Sequence, residues 1–366
     1  MLHIHVLNVR HGDSIVIQYD GPSGTVYGVI DSNSTKDVPC AALTKLEELG
    51  ASSLSFVALT HPDCDHYSGL SRILKHFQQR IAKFYSFPLG VHTSGRLKEY
   101  AQIYKRVYEK AGDEFIRRKI KEFIEILVLV KEYIGEDNWD EPRGPSSQIF
   151  PPGFAGVEIN VLLPLPRLKG PFFDMIKRGD WDVAANETNN GLSLAFNLRY
   201  KGHEIILAGD GTAKSWLAQK QEITRGLKSL RGNIVKLPHH GAEKDNTDNV
   251  LEHLYGENDG NVALISANGI SHPAQKTLQR LDKKRISPYC TNLSKYCSNI
   301  RHIDFSMAKK RGIHPRLSRF LYSNSIDGKI HPCQGDISVL IDDRGELSIT
   351  SQYENACPRR GELNFL

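Results

Sequence analysis

The sequence predicts a mixed α/β fold in which strands come first, helices fill the middle and strands return near the end. Apolar runs typical of strands occupy both ends of the chain of 366 residues. Between them lie stretches in which leucine and isoleucine recur at helical spacing. Several apolar runs end directly in side chains that can bind metal ions. Because active sites concentrate at strand ends in sheet-based folds, the pattern predicts a functional site there.

The first part of the chain alternates strands with two helices. Strands are predicted over residues 2–9, 15–19, 25–30 and 54–59. A helix is predicted over residues 41–49, where leucines recur on one face and Gly50 is a typical residue after a helix end. Residues 68–79 also show helical spacing of their apolar side chains, so a second helix is predicted there.

The rest of the chain carries two insertions between strands. Residues 96–134 are charge-rich and helical in pattern, and the Pro- and Gly-rich stretch 142–156 ends that pattern, so a helical insertion is predicted over about 80–155. Further strands are predicted over residues 157–163, 192–200, 204–208, 234–237, 262–266, 336–341 and 347–350. A second, polar and basic insertion covers about 292–334. Residues 1–366 are predicted to form one domain that carries both insertions.

The composition is that of an ordinary soluble globular protein, with 40% hydrophobic and 24% charged residues. The net charge of +5 is compatible with a polyanionic partner but does not by itself indicate one. No apolar run is long enough to cross a bilayer, and the N-terminus has no secretory pattern. The six cysteines form no Cys-x-x-Cys pair. We therefore expect reduced thiols, a cytoplasmic location and no membrane contact.

The most informative segment is the loop after the predicted strand 54–59. Within six residues it holds two histidines and two aspartates, namely His61, Asp63, Asp65 and His66. Imidazole nitrogens and carboxylate oxygens suit zinc or manganese, and in so short a loop one His–Asp pair can face each of two ions. The plainer explanation is that the aspartates begin a helix and the histidines are incidental. The interleaving of four ligands favours the metal site.

Three later segments place further candidate ligands just beyond predicted strands. Asp210 lies in a Gly-Asp-Gly turn, which indicates a metal site only in company with the first loop. His239 and His240 follow the strand at 234–237, and we expect one of them to bind metal and the other to bind substrate or support the site. His272 is a candidate for holding a substrate phosphate or protonating a leaving group, and a loop histidine without a role explains it equally well.

In this order the motifs resemble the metallo-β-lactamase superfamily, and within it the metallo-hydrolase domain of ComEC-type DNA-uptake proteins. The resemblance is carried by His-x-Asp-x-Asp-His after a strand, a Gly-Asp step, Leu-Pro-His-His-Gly and a Ser-His-Pro loop. The opening stretch 7–14, the segment Val29-Ile30-Asp31 and the Asn-rich segment 188–194 resemble further motifs of that family. The match runs from residue 1 to about residue 351, interrupted by the two insertions.

The resemblance implies an αββα sandwich, in which two mixed sheets face each other, helices cover both outer faces, and two divalent ions (Zn²⁺ or Mn²⁺) lie at one edge. The ligand sets it implies are His61, Asp63 and Asp210 for one ion and Asp65, His66, Asp210 and His240 for the other, with His239 as the alternative to His240. It also implies that Asp31 braces the ligand loop from behind, a role whose loss weakens metal affinity.

The chain departs from the common superfamily pattern in two places. Asp63 stands where a histidine is usual, which makes the first site richer in oxygen ligands and favours manganese over zinc. The separate histidine that many members carry before the Gly-Asp strand has no clear equivalent, and Asn189 or Asn190 stands near its place. The membrane channel of the DNA-uptake proteins is absent, so we expect a stand-alone relative.

These residues predict a metal-dependent hydrolase, with a phosphodiester of DNA or another nucleic acid as the leading substrate. Hydroxide held by a dinuclear centre would attack phosphorus, with Asp65 orienting it or accepting its proton. His272, with Lys236 or His239, would steady the phosphoryl oxygens. A different hydrolase on the same fold, such as a phosphorylcholine esterase or a lactonase, is one alternative. A metal-bearing subunit or effector of a multi-protein defence system, which requires a protein partner, is another.

Overall fold

Two mixed β-sheets form the centre of the molecule. The computed structural model describes residues 1–34, 39–89, 114–145, 147–166, 189–224, 231–256, 260–268, 271–292, 294, 296 and 334–353. The strands of the first sheet are β1 (Leu2–Val6), β2 (Ile15–Gly21), β3 (Gly24–Ile30), β4 (Leu54–Leu59), β5 (Ile81–Ser86), β6 (Trp139–Asp140), β14 (Ile337–Ile341) and β15 (Leu347–Ser351). Their spatial order is β15-β14-β1-β2-β3-β4-β5-β6, antiparallel up to β3 and parallel from β3 to β6.

The second sheet has seven strands and the same mixed character. Its strands are β7 (Gln148–Ile149), β8 (Glu158–Leu163), β9 (Ala195–Tyr200), β10 (His203–Leu207), β11 (Ile234–Lys236), β12 (Val262–Ile265) and β13 (Ser287–Cys290). Their spatial order is β13-β12-β11-β10-β9-β8-β7, parallel from β10 to β13 and antiparallel beyond β10. Parallel strands are buried on both faces, which explains their nearly continuous apolar runs.

Helices flank the sheets in the described residues. They are α1 (Ala41–Glu48), α2 (Cys64–Tyr67), α3 (Leu70–Phe77), α4 (Glu114–Tyr133), α5 (Asn189–Gly191), α6 (Ala213–Thr224), α7 (Asp248–Leu254) and α8 (Gln275–Lys283). In α3 the apolar residues spaced three and four apart are buried, as the sequence predicts. None of these helices is both long and apolar enough to cross a bilayer.

The main core lies between the two sheets. It joins Phe56 of β4 with Phe196 of β9, and the ring of Tyr19 meets that of Tyr200 edge-on, with centroids 5.8 Å apart. A second core buries the outer face of the second sheet against α6, α7 and α8, with Trp216 fully buried at its centre. The predicted αββα sandwich is therefore confirmed.

The predicted helical insertion over about 80–155 is too long at both ends, because β5, β6 and β7 lie within that range and belong to the two sheets. Residues 81–86 form β5, which pairs in parallel with β4 inside the first sheet. Its apolar run is interrupted by Lys83, so the strand depends on neighbours that are distant in sequence. The second half of the predicted helix 96–134 is confirmed by α4, whereas residues 90–113 lie outside the described part of the chain. Most of the second insertion lies outside it too.

Candidate metal centre

The first ligand loop leaves β4 and turns directly into the short helix α2. Asp63 has extended backbone at the position before the helix, and its side chain does not cap the helix. The backbone N–H of His66 donates to the carbonyl of Asp63 (2.9 Å), which closes the turn. The aspartates therefore do begin a helix, as the plainer explanation expected. The same turn also places all four side chains at the carboxyl end of β4.

Asp210 is the residue on which the other candidate ligands converge. It follows β10 and is buried. Its Oδ2 lies 3.8 Å from His61 Nε2, 3.4 Å from His240 Nε2 and 3.9 Å from His239 Nε2, and its Oδ1 lies 3.5 Å from His66 Nε2. Two ligands that each lie about 2.1 Å from an ion, at a tetrahedral angle, are about 3.4 Å apart. The spacing thus matches that of atoms sharing a metal ion.

The remaining two carboxylates of the loop lie beside different histidines. Asp63 Oδ2 is 3.5 Å from His61 Nε2, whereas Asp65 Oδ2 is 3.6 Å from His240 Nε2 and 3.9 Å from His66 Nε2. The histidines beside both carboxylates also lie within 4 Å of Asp210. The structure therefore brings together all the predicted ligands in two adjoining sets, one around His61 and Asp63 and one around Asp65 and His66.

Each imidazole presents Nε2 to this centre because its Nδ1 faces another group. His66 Nδ1 donates to Asp31 Oδ2 (2.7 Å), and His239 Nδ1 donates to Asp245 Oδ2 (2.7 Å). Thr60 Oγ1 donates to Asp31 Oδ2 (2.6 Å), so it accepts from His61 Nδ1 (3.0 Å). A proton fixed on Nδ1 leaves the lone pair of Nε2 available to a metal. Asp31 thus contacts the candidate ligand loop from behind, at the position that the resemblance implies for a bracing carboxylate.

The atoms facing the centre fit a divalent cation. His61 Nε2, His66 Nε2, His240 Nε2 and Asp210 Oδ1 are buried, and none has a hydrogen-bond partner in the described structure. Buried polar atoms without partners are rare in folded proteins, because each loses its hydration without compensation. Imidazole and carboxylate donors in two groups are the ligand types that zinc and manganese take.

The turn that carries the two adjacent histidines is strained. His239 (φ 48°), His240 (φ 53°) and Gly241 (φ 79°) are three consecutive left-handed residues. For the two histidines this conformation costs about 1–2 kcal/mol each. It lets both rings direct Nε2 toward Asp210. Such strain is retained where the surrounding structure or a function requires it.

The charges of the centre are strongly coupled. Burial alone would raise the pKa of the Asp210 carboxyl, but His240 and His66 hold that pKa well below its usual range. Burial would likewise lower the pKa of the His66 imidazole, but Asp210, Asp31 and Asp65 hold it well above its usual range. Without a metal, protons on the imidazoles therefore offset the carboxylates. A divalent cation can replace those protons.

Asp13 and Lys236 lie behind the ligands, and the sequence did not predict a role for Asp13. Asp13 is buried, with Oδ1 3.4 Å from His240 Nδ1, and the Lys236 ammonium donates to its Oδ2. Burial would raise the pKa of Asp13, but Lys236 and His240 hold it below its usual range. Lys236 is fully buried, so the substrate contact predicted for it would require this ion pair to open.

Three further residues lie around the candidate metal centre. The ring of His272 is 6.0 Å from that of His239 and 6.5 Å from that of His240. His11, which the sequence did not single out, is half exposed and contacts Asp65 Oδ2 through Nε2 (2.9 Å). Asn190 lies beside His239, with Nδ2 3.4 Å from Nδ1 of that ring. The side chain of Asn189 lies outside the described part of the structure.

The chain matches no family model and no curated protein. It is similar to solved structures of a variant of CmlA beta-hydroxylase (TM-score 0.43, 11% identity, covering 80% of this chain and 52% of that chain) and of a diphosphatase from the PhnP family (0.37, 13%, 76% and 81%). It is also similar to Zn²⁺-bound PqqB from Methylobacterium extorquens (0.37, 9%, 76% and 85%). The chain thus spans about half the length of the CmlA chain. The fold described above rests on this chain's own sheets and helices.

Proposed function

We propose that this chain is a metal-dependent hydrolase that cleaves phosphodiester bonds, with nucleic acid as the leading substrate class. The observation that carries the proposal is the convergence of four histidine Nε2 atoms on the buried carboxylate of Asp210. A packing role does not explain this arrangement, since three of those nitrogens are buried without a hydrogen-bond partner.

The distances between side chains support the following assignment of ligands to the two ions. The set His61, Asp63, His239 and Asp210 would hold one, and the set Asp65, His66, His240 and Asp210 would hold the other. We propose that His239 supplies the ligand for which the sequence offered only asparagine. Divalent ions there would supply Lewis acidity toward a phosphoryl oxygen and toward water.

Asp65 is suited to orient the attacking water. Burial would raise the pKa of its carboxyl, but His66, His11 and His240 hold that pKa well below its usual range, so the group stays ionised. A carboxylate with so low a pKa is a weak base but a good hydrogen-bond acceptor. We therefore propose orientation of water, and not removal of its proton, as the role of Asp65.

His272 is suited to donate a hydrogen bond to a phosphoryl oxygen. Burial, and after it the neighbouring His240 and His239, lower the pKa of its imidazole to about 4. At neutral pH the ring is uncharged and keeps one N–H to donate. A group with this pKa holds too little of its protonated form at pH 7 to be an effective general acid. We propose that His272 holds the substrate and does not protonate the leaving group.

The experiment is a hydrolysis assay on bis(p-nitrophenyl) phosphate and on single- and double-stranded DNA, with Mn²⁺ or Zn²⁺ added to the purified protein. We expect turnover that falls at least about 10²-fold in Asp65→Ala and in Asp210→Ala. Turnover in the wild type that equals that of both variants would refute the proposal. Asp140→Asn, at a partly exposed aspartate that is not among the candidate ligands, serves as the control and should retain activity.

A panel of other esters tests the alternatives. Activity confined to lactones or β-lactams would show a metallo-hydrolase with a different substrate and refute the phosphodiester proposal. Stoichiometric metal without hydrolysis of any ester would favour the metal-bearing subunit that the sequence also allowed. In that case a protein partner should be captured with the wild type and lost in Asp65→Ala.

A further inference from the structure

Lys236 occupies an unusual position for a lysine. It is the last residue of β11, where it pairs with Leu207 of β10 and Leu264 of β12 in the interior of the second sheet. Its side chain is 0% exposed, and no other lysine or arginine is buried among the residues that the structure describes. An ammonium group removed from water is strongly unfavourable unless it is paired and hydrogen-bonded.

The ammonium is paired with groups of both sheets. It donates to Asp13 Oδ2 and to the carbonyl oxygen of Gly209 (3.3 Å), and it lies 3.9 Å from Asp210 Oδ1. Asp13 belongs to the loop after β1, in the first sheet, whereas Gly209 and Asp210 follow β10, in the second. The side chain of Lys236 therefore joins the two halves from which the ligands come.

Asp13 transmits this contact to the ligands. Its Oδ1 lies 3.4 Å from His240 Nδ1, on the side of the ring opposite to the centre. Its backbone N–H donates to the carbonyl of Asp65 (3.2 Å), at the start of α2. One aspartate thus contacts the histidine from one sheet and the loop from the other, and Lys236 fixes its second oxygen.

We propose that Lys236 is a positioning residue of the metal centre: its ammonium is a built-in cation that fixes Asp13 between the two sheets, so that His240 and Asp65 are held at one ion. This role rests on the proposed function. The sequence predicted that Lys236 contacts the substrate; in this role it contacts Asp13 inside the protein instead. It also explains why Asp13, although beside Asp210 and His240, would hold no additional ion, since the ammonium already occupies that side of its carboxylate.

The test compares three variants of the full chain with the wild type. Lys236→Met removes the charge and keeps the length of the side chain. The double variant Asp13→Leu with Lys236→Met removes both charges, which avoids an unpaired buried carboxylate. Lys83→Met is the matched control, because Lys83 also lies on a strand and pairs with an aspartate, Asp140, but at the surface. Each protein is loaded with Co²⁺, and the ion count, the affinity in chelator competition, the visible absorption spectrum and the thermal midpoint are measured.

In Lys236→Met we expect the more weakly held of the two Co²⁺ ions to bind at least about 10-fold less tightly than in the wild type. The absorption spectrum should change and the thermal midpoint should fall. The double variant should regain thermal stability relative to Lys236→Met but not the affinity, because His240 then lacks its carboxylate partner. Lys83→Met should match the wild type. If Lys236→Met does not fold, the double variant alone is compared with the wild type in Co²⁺ affinity, absorption spectrum and thermal midpoint.

Two results would overturn the role of Lys236. One is wild-type affinity and spectrum in Lys236→Met. The other is a double variant that regains both stability and affinity, since the ion pair would then serve the fold alone. A wild-type protein that binds no Co²⁺, Zn²⁺ or Mn²⁺ would refute the proposed function itself, and the role of Lys236 with it.

Discussion

Asp31 offers a sharp test of how the centre is held, because one buried carboxylate serves two histidines. Its Oδ1 accepts the backbone N–H of Thr60 (2.8 Å), and its Oδ2 accepts both Thr60 Oγ1 (2.6 Å) and His66 Nδ1 (2.7 Å). Asp31→Asn keeps the size of the side chain. It also tolerates the left-handed backbone at this position (φ 56°). The amide, however, has only one acceptor oxygen for the three donors.

The substitution is expected to affect affinity and stability by different amounts. If the amide nitrogen faces His66, that ring must accept at Nδ1 and carry its proton on Nε2, which blocks the metal. Loss of such a supporting contact weakens metal binding about 10- to 100-fold, or about 1.4–2.8 kcal/mol. Losing one charge-assisted hydrogen bond costs about 1.5–3 kcal/mol of folding free energy. For a chain of 366 residues this lowers the thermal midpoint by about 2–4 °C.

Chelator competition with Zn²⁺ measures the affinity, and calorimetry of the metal-free protein measures the stability. Asp140→Asn, at a partly exposed aspartate that pairs with Lys83, is the control for loss of one carboxylate. It should change neither quantity. An Asp31→Asn protein whose Zn²⁺ affinity stays within twofold of the wild type would refute the account of how His66 is oriented.

Three other perturbations address the backbone, the metal preference and the response to pH. Gly12→Ala should lower the free energy of unfolding by at least about 2 kcal/mol in denaturant, because Gly12 has a φ of 94° and the added Cβ would overlap the carbonyl of Asp65. Gly24 has a φ of 110° and open space around it, so Gly24→Ala should lower that free energy clearly less. Equal losses for the two variants would contradict the close packing of Gly12 on Asp65. Asp63→His should raise the affinity for Zn²⁺ relative to Mn²⁺ in competition titrations, and an unchanged ratio would show that this residue is not a ligand. Burial, with Lys220 and Arg231, lowers the pKa of His253 to about 4, so the folded protein keeps this ring neutral. The protein should therefore lose up to about 3 kcal/mol of stability as the pH falls from 6.5 to 4. His253→Gln should remove that part of the pH dependence of the unfolding free energy, and the same pH dependence in both proteins would contradict this.

The part of the centre that the sequence predicts is the part encoded locally. His61, Asp63, Asp65 and His66 lie in one turn, and their spacing alone indicates ligands for more than one ion. Asp210 follows a recognisable strand in the same way, so it could also be predicted. The loop follows β4 of the first sheet and Asp210 follows β10 of the second, so the strand ends locate each group, whereas their meeting depends on the packing of the two sheets.

The contacts that support the ligands could not be predicted in this way. Lys236 and Asp13 are 223 positions apart, and only the packing of one sheet on the other brings them together. Asp245 lies in a polar loop with no local sign that it contacts His239. The strand β5 was missed for the same reason, since its parallel neighbour β4 decides its conformation more than its own residues do. That both adjacent histidines direct Nε2 toward Asp210 depends on a left-handed backbone that the sequence does not reveal.

The metal content of the purified protein tests the central claim most directly. After equilibration with Zn²⁺ or Mn²⁺ and removal of excess ions, elemental mass spectrometry should find about two ions per chain. Asp210→Ala, which removes the carboxylate shared by both ligand sets, should bind far less than one. A wild-type protein that retains no stoichiometric metal under these conditions, or an Asp210→Ala protein that retains as much as the wild type, would contradict the account.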